Sequence, residues 1–238
     1  MTTGLIAALP TAATVGSTLP SSAALGDSLS ILVTALVAGA VGAAVWTLAE
    51  YLLHRFAMHE LKGKGMMSRE HLEHHVLSSW SFSATHLLSW TGMLLVGAVV
   101  WLPLGWLVAG PGAGVGIAAG WAVGYFFYEY QHAVAHLRAP GGRYARWLRR
   151  HHFHHHFGHP MANHGVSTLV WDKVFGTFEE PTVVRIPRRL VLPWMTDPDG
   201  ELLAEFGDDY VLVGRRDSDG RLAGIDRARA FSSVAPVD

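Results

Sequence analysis

Residues 31–60 read ILVTALVAGAVGAAVWTLAEYLLHRFAMHE. Up to Leu53 this stretch is apolar except for Thr34, Thr47 and Glu50. As a helix rising about 1.5 Å per residue it reaches about 34 Å, enough to cross a bilayer core of about 30 Å. His54 and His59 stand where that helix leaves the membrane. An apolar span that runs directly into histidines frames the reading of the remaining chain.

Two further stretches have the same character. LLSWTGMLLVGAVVWLPLGWLVA (87–109) predicts a second span, and its Pro103 is tolerable because neighbouring helices satisfy the freed backbone groups in lipid. Gly110-Pro111-Gly112 reads as a tight break, followed by a third span from about Gly114 to Ala135. Gly116, Gly120 and Gly124 recur there every fourth residue, a pattern that lets helix backbones approach closely. Residues 1–30 contain no Lys or Arg and read as a disordered or surface-lying leader, without the basic start of a secretory signal. The count is therefore three spans, or four if the leader inserts.

The basic residues orient these spans. Lys62, Lys64, Arg69, Arg138, Arg143, Arg146, Arg149 and Arg150 follow spans one and three, while the leader and the Gly-Pro-Gly turn carry none. The positive-inside rule puts the N-terminus outside and both basic segments in the cytoplasm. The expected architecture is an all-α, multi-pass integral membrane domain over 31–180 with a cytoplasmic helical cap, then a more polar extension over 181–238. Within the extension, RIPRRLVLPW (185–194) is expected on the membrane interface and YVLVGRRDSDGRLAGI (210–225) as a hairpin, with the last ten or so residues loose.

Composition narrows the chemistry. Half of the 238 residues are hydrophobic and 16% are charged, a profile for membrane spans rather than a soluble domain. A net charge of −1 gives no reason to expect a nucleic-acid partner. The chain has no cysteine, which removes disulfides, thiolate metal sites and cysteine nucleophiles, and leaves fifteen histidines as the soft ligands.

Those histidines cluster in four places: His54 and His59; His71, His74 and His75; His132 and His136; His152, His155 and His156. The topology puts all four clusters on one side of the membrane. A single pair four residues apart means little, but four such groups at one level point to metal binding. His132 and His136 project from one helix face, and the two triads, spaced by three and four, each gather on one face. Five residues carry His59 about 140° past a full turn from His54. Those two rings therefore reach different metals, or sit where the helix loosens at its end. His151, His154 and His155 satisfy the same spacing as His152, His155 and His156, so helix geometry leaves that register open. His86, His159 and His164 read as surface or supporting residues.

Imidazole suits zinc, copper, iron and nickel alike. Ten histidines overfill two tetrahedral zinc sites, whereas five per metal suits two larger coordination spheres with room for oxygen, which favours iron. Three residues are candidate helpers. Glu50 lies four before His54 and Glu129 three before His132, where a carboxylate can hold an imidazole's other N–H, and Tyr128 can join the same network or sit in an aromatic belt.

The order His-x4-His, His-x2-His-His, His-x3-His, His-x2-His-His, followed by WDKVFGT (171–177), resembles the fatty acid hydroxylase / sterol desaturase superfamily of membrane-bound dimetal oxygenases. The resemblance runs from about Glu50 to Phe178 and favours the His152/His155/His156 register, because Phe157 supplies the aromatic that follows the last pair. It implies two iron ions, replaceable by zinc in isolated protein, held by His54, His59, His71, His74, His75, His132, His136, His152, His155 and His156. It also implies O2 as co-substrate, electrons from a separate electron-transfer protein, and oxidation of an unactivated C–H bond of a membrane lipid, most simply hydroxylation of a fatty acyl chain. Two departures are the short gap between His59 and His71, and His164 where an aromatic is common. Sterol- and carotenoid-type hydroxylases or desaturases are alternatives within the superfamily. A histidine-rich metal transporter would instead place ligands inside the spans, and the His-Glu-x-x-His motif of a metalloprotease is absent.

Overall fold

The computed structural model describes residues 22–216 and 220–238. It is mostly helical. Helix α1 (Ser22–Leu52) continues through widened, π-helical turns at Leu53–Glu60. Helix α2 (Met66–Leu77) and helix α3 (Ala84–Val96) follow, and a second π-helical turn at Gly97–Trp101 joins α3 to α4 (Leu102–Leu137). Then come α5 (Arg143–Phe153), whose end opens into π-helical turns at His154–Gly158, and the short α6 (Val170–Val174). Strands β1 (Val184–Pro187) and β2 (Tyr210–Val213) pair in parallel, and α7 (Arg221–Ala230) closes the order.

Two helical stretches, Ser22–Glu60 and Ala84–Leu137, are long and apolar enough to cross a membrane. Only 6% and 11% of their most apolar windows are buried within the protein, so their apolar surface faces outward, unlike the core helix of a soluble domain. The second stretch is broken where the sequence anticipates it. Ala109 and Gly110 leave helical geometry, Gly110 at φ 83°. The arms on either side fold back on each other: Trp121 donates its indole N–H to the Met93 carbonyl at 2.9 Å, and a Cβ at Gly105 would lie 2.8 Å from the Ala113 carbonyl. Residues 84–108 and 111–137 are thus antiparallel.

The glycine stripe explains how α1 and α4 meet. A Cβ at Gly116 would strike the backbone of Ala35, one at Gly120 the backbone of Gly39, and one at Gly124 would come within 2.8 Å of Trp46 Cβ. These rising pairs make α1 and the second arm of α4 parallel, which brings His54 and His59 to the same end as His132 and His136. Trp46, Trp121, Tyr125, Tyr128 and Val166 form a buried cluster just beneath the histidines.

Four expectations need correction. Residues 22–30 are the first turns of α1 rather than a loose leader; residues 1–21 lie outside the described part. Residues 185–194, expected on the membrane interface, pack into the protein instead, with Ile186 and Leu192 buried in a second core with Phe153, Phe157, Met195, Phe206 and Tyr210. Arg189 is spent on Asp226 and Arg188 on Glu201. The expected hairpin is instead β2, paired in parallel with β1, followed by α7, whose RLAGIDRARA takes a helix with buried Asp226. The chain's end is tied down, since the Val237 carbonyl accepts from Arg189 and Asp238 pairs with Arg185 at 2.6 Å.

Candidate metal centre

Ten imidazoles converge above the Trp46 cluster in two groups of five. One comprises His54, His59, His71, His75 and His155, all buried, and is called the inner group here. The outer group comprises His74, His132, His136, His152 and His156, of which only His74 is half-buried. Within each group the nitrogen atoms facing the centre lie within 4.8 Å of one another.

Local helix geometry deals the rings between the groups. His54 and His59 fall in the same one, because π-helical turns bond residue i to i+5 and so bring a residue five places on back to one face. Of the two sequence alternatives, the loosened helix end is the one realised. In α2, His71 and His75 are four apart and share the inner group, while His74 turns to the outer. At the end of α5 the pattern reverses: His152 and His156 enter the outer group and His155 the inner. Each triad is therefore divided rather than gathered on one centre. His75 and His156, one from each group, stack at 4.0 Å with an interplanar angle of 8°.

The other register partners lie outside. His151 is buried between Trp147 and Phe178 with its Nε2 3.6 Å from Asp172. His154 contacts Glu179 at 2.9 Å. His86 caps α3, accepting from the Ser83 backbone N–H on Nδ1 at 3.2 Å. His159 contacts Glu179 at 2.6 Å.

Proton placement tests whether a cation fits. His74 donates Nδ1–H to the Ser79 carbonyl at 2.8 Å and His136 donates Nδ1–H to the Ser78 carbonyl at 3.1 Å. Both Nε2 atoms are then bare lone pairs, yet they lie 3.1 Å apart. The inner group repeats this. His155 donates Nδ1–H to the Ala162 carbonyl at 2.7 Å and His54 donates Nδ1–H to the His164 carbonyl at 2.5 Å, which leaves both Nε2 atoms bare in a group whose ligand atoms lie within 4.8 Å of one another. Opposed lone pairs repel unless a cation stands among them, and imidazoles with Nδ1 fixed are oriented metal ligands. Burial, with neighbouring imidazoles adding to it, holds His71, His75, His152, His155 and His156 well below the ordinary imidazole range, and burial pushes His74 down to about 4. The rings are neutral at physiological pH, as ligands must be.

The anticipated helpers act one step further out. Glu50 is buried but holds no imidazole: its carboxylate accepts from the backbone N–H groups of Val166 and Ser167 at 2.6 and 2.8 Å and from the Ser167 hydroxyl. His54 is held instead by the His164 carbonyl at 2.5 Å. Glu129 accepts from the Tyr125 hydroxyl at 2.9 Å rather than from His132. Tyr128 is buried, not part of an interfacial belt, and stacks on His132 at 5.8 Å.

Support that sequence reasoning missed comes from Asp172, Trp194 and Ser233. Asp172, inside WDKVFGT, is fully buried and accepts from the His164 and Gly165 N–H groups, both at 2.8 Å, and from the Thr177 hydroxyl at 2.8 Å. It fixes the loop whose carbonyls orient His54 and His155. Trp194 donates its indole N–H to the His136 carbonyl at 3.1 Å. The motif signalled Asp172; a lone tryptophan and a lone serine far along the chain carried no signal.

A cavity of about 310 Å³ opens beside the groups, lined by His71, His74 and His132 together with Met58, Met67, Trp80, Tyr128 and Glu129. A smaller one of about 60 Å³ shares Met58, Met67, Tyr128 and Glu129 and extends to Trp46 and Met93. Together they trace a slot from the histidines into the apolar bundle.

Comparison with known proteins bears on this arrangement. Residues 39–177 match the fatty acid hydroxylase family. A dihydroceramide fatty acyl 2-hydroxylase of Arabidopsis thaliana is 32% identical over 148 residues, 58% of this chain and 59% of that protein. A human fatty acid 2-hydroxylase is 31% identical over 146 residues, 58% of this chain and 38% of its own length. The matched stretch thus spans little more than half of the one relative and well under half of the other. A solved structure of full-length scs7p, with only the hydroxylase domain visible, aligns at TM-score 0.45 and 24% identity over 68% of this chain and 66% of that one.

Proposed function

Because the chain belongs to the fatty acid hydroxylase family, we propose that it is a membrane-bound lipid hydroxylase with two iron ions, one in each five-histidine group. The observation that carries the reading is the opposed Nε2 contact of His74 and His136 at 3.1 Å, both rings having Nδ1–H committed to a carbonyl. When bound, the iron supplies reduction of dioxygen to an oxidant that turns C–H into C–OH, one oxygen atom leaving as water at the expense of two electrons and two protons. Those electrons come from a separate donor protein.

The chain's own residues bind, orient and shield. Carbonyls of Ser78, Ser79, Ala162 and His164 keep protons on Nδ1 of His136, His74, His155 and His54, and so keep each Nε2 free. The apolar slot from His132 past Tyr128 to Trp46 and Met93 suits an acyl chain, with Ser81, Ser83 and Glu73 lining the mouth for a polar end. Burial of the inner group excludes bulk water. The relatives' names favour a fatty acyl chain, free or in a ceramide-type lipid, as substrate and its 2-position as target. The helices cross the bilayer three times, with the histidines on the cytoplasmic side.

The test is cellular. Expressing the chain and a His155→Ala variant under ¹⁸O₂, then profiling lipids by mass spectrometry, should give a lipid that gains one labelled oxygen only with the intact chain. An unchanged lipid profile in iron-replete cells supplied with a compatible electron donor would contradict the reading.

A further inference from the structure

The family match ends at residue 177, yet the segment beyond it returns to the metal centre. We propose that Ser233 is a positioning residue for the inner group, fixing the tautomer and orientation of His59. This rests on the reading that the groups hold metal.

The geometry is a closed exchange. The Ser233 hydroxyl donates to the His59 carbonyl at 3.3 Å, and His59 Nδ1 lies 3.3 Å from the same oxygen. A hydroxyl has one proton and two lone pairs. With its proton committed to the carbonyl, it presents a lone pair to the ring, so Nδ1 must be the donor and Nε2 the bare atom. His54 and His155 achieve this through backbone carbonyls of the adjacent loop; His59 does it through a side chain 174 residues away.

Ser233 is held in place for this. It is buried, with a left-handed φ of 54°, and its own N–H closes on the Ala230 carbonyl at 2.8 Å. Two residues earlier the Phe231 ring packs on Gly63, at φ 83°, where a Cβ would lie 2.7 Å from that ring. Arg227 pairs with Glu73 on the ligand-bearing α2, and Asp226 is gripped twice by Arg189 at 2.7 Å. The C-terminal segment is thus a strap across α2 and the end of α1, and Ser233 is its contact with the metal centre.

The experiment titrates metal-free full chain with cobalt(II) and follows the d–d absorption. Wild type is expected to show two binding events. Ser233→Ala should weaken one of them 10–100-fold with an altered spectrum and leave the other unchanged, in line with the effect of removing a ligand's hydrogen-bond partner. Ser233→Gly, which removes the same hydroxyl and relaxes the left-handed backbone, should weaken the same event, and it decides the matter if the alanine variant does not fold. Ser232→Ala, which removes an exposed hydroxyl bonded to the Ala228 carbonyl, should match wild type. Two unchanged events in Ser233→Ala or Ser233→Gly, or equal weakening of both events, would overturn the proposal. Wild type that binds no cobalt would instead overturn the reading of the two groups as metal sites.

Discussion

Inner and outer groups contain five imidazoles each, but the chain anchors them from different places. Three inner rings are tied to segments late in the sequence: His54 to the His164 carbonyl, His155 to the Ala162 carbonyl and His59 to the Ser233 hydroxyl. The outer group is held from the break after α2, where the carbonyls of Ser78 (φ 51°) and Ser79 receive His136 and His74. It also shows two rings, His74 and His132, to the cavity, against one, His71, from the inner group. A division of labour follows. The inner group depends on segments late in the chain and presents one ring to the cavity, while the outer group presents two.

Removing one ligand from either side should break the comparison most completely. His155→Ala is expected to retain only the outer metal and His136→Ala only the inner one, each without oxygenated lipid; elemental analysis and lipid profiling read both. Loss of both metals from each variant would mean that the groups form a single cooperative unit.

Acid should act next most strongly. Burial, with His54 and other groups around it, pushes His164 down to about 3, so in the folded chain it stays neutral where the unfolded chain, at about 6.5, takes up a proton. Stability is therefore full above pH 6.5 and falls as the pH drops from 6.5 towards 3. Denaturant melts of metal-free protein from pH 7 to 4 check the sign, and stability that rises on acidification would contradict it.

Asp172→Asn separates the groups more gently. The carboxylate is held ionised because, although burial opposes its charge, His151, the Gly165 N–H and the Thr177 hydroxyl together lower its pKa. Losing that charge should cost about 1.5–3 kcal/mol of stability and weaken the inner metal about 10–100-fold, with the outer metal unchanged. Trp194→Phe should do least: it forfeits one indole bond to the His136 carbonyl, about 0.5–1.5 kcal/mol in a thermal melt, with both metals retained.

How much of this was legible in the sequence depends on how local its cause is. The apolar helices, the glycine stripe and the ten histidines are written in spacing and composition, and the structure brings all ten rings together. The five-residue step from His54 to His59 was ambiguous because it makes one face only in a π-helical turn, whose wider bonding no single residue type announces. Glu50 was legible as an expensive buried carboxylate, but not its partner, because the Val166 and Ser167 backbone arrives from 116 and 117 residues away. The strand reading of 210–225 failed after Val213, where apolar residues around Gly224 hid a helix that Asp226 anchors through Arg189.

The most direct measurement is the metal content of the purified wild-type chain. Elemental analysis after expression in iron-replete cells should find two transition-metal ions per chain, chiefly iron, with zinc making up any remainder. One ion per chain, or none, would contradict a centre built from two groups of five imidazoles.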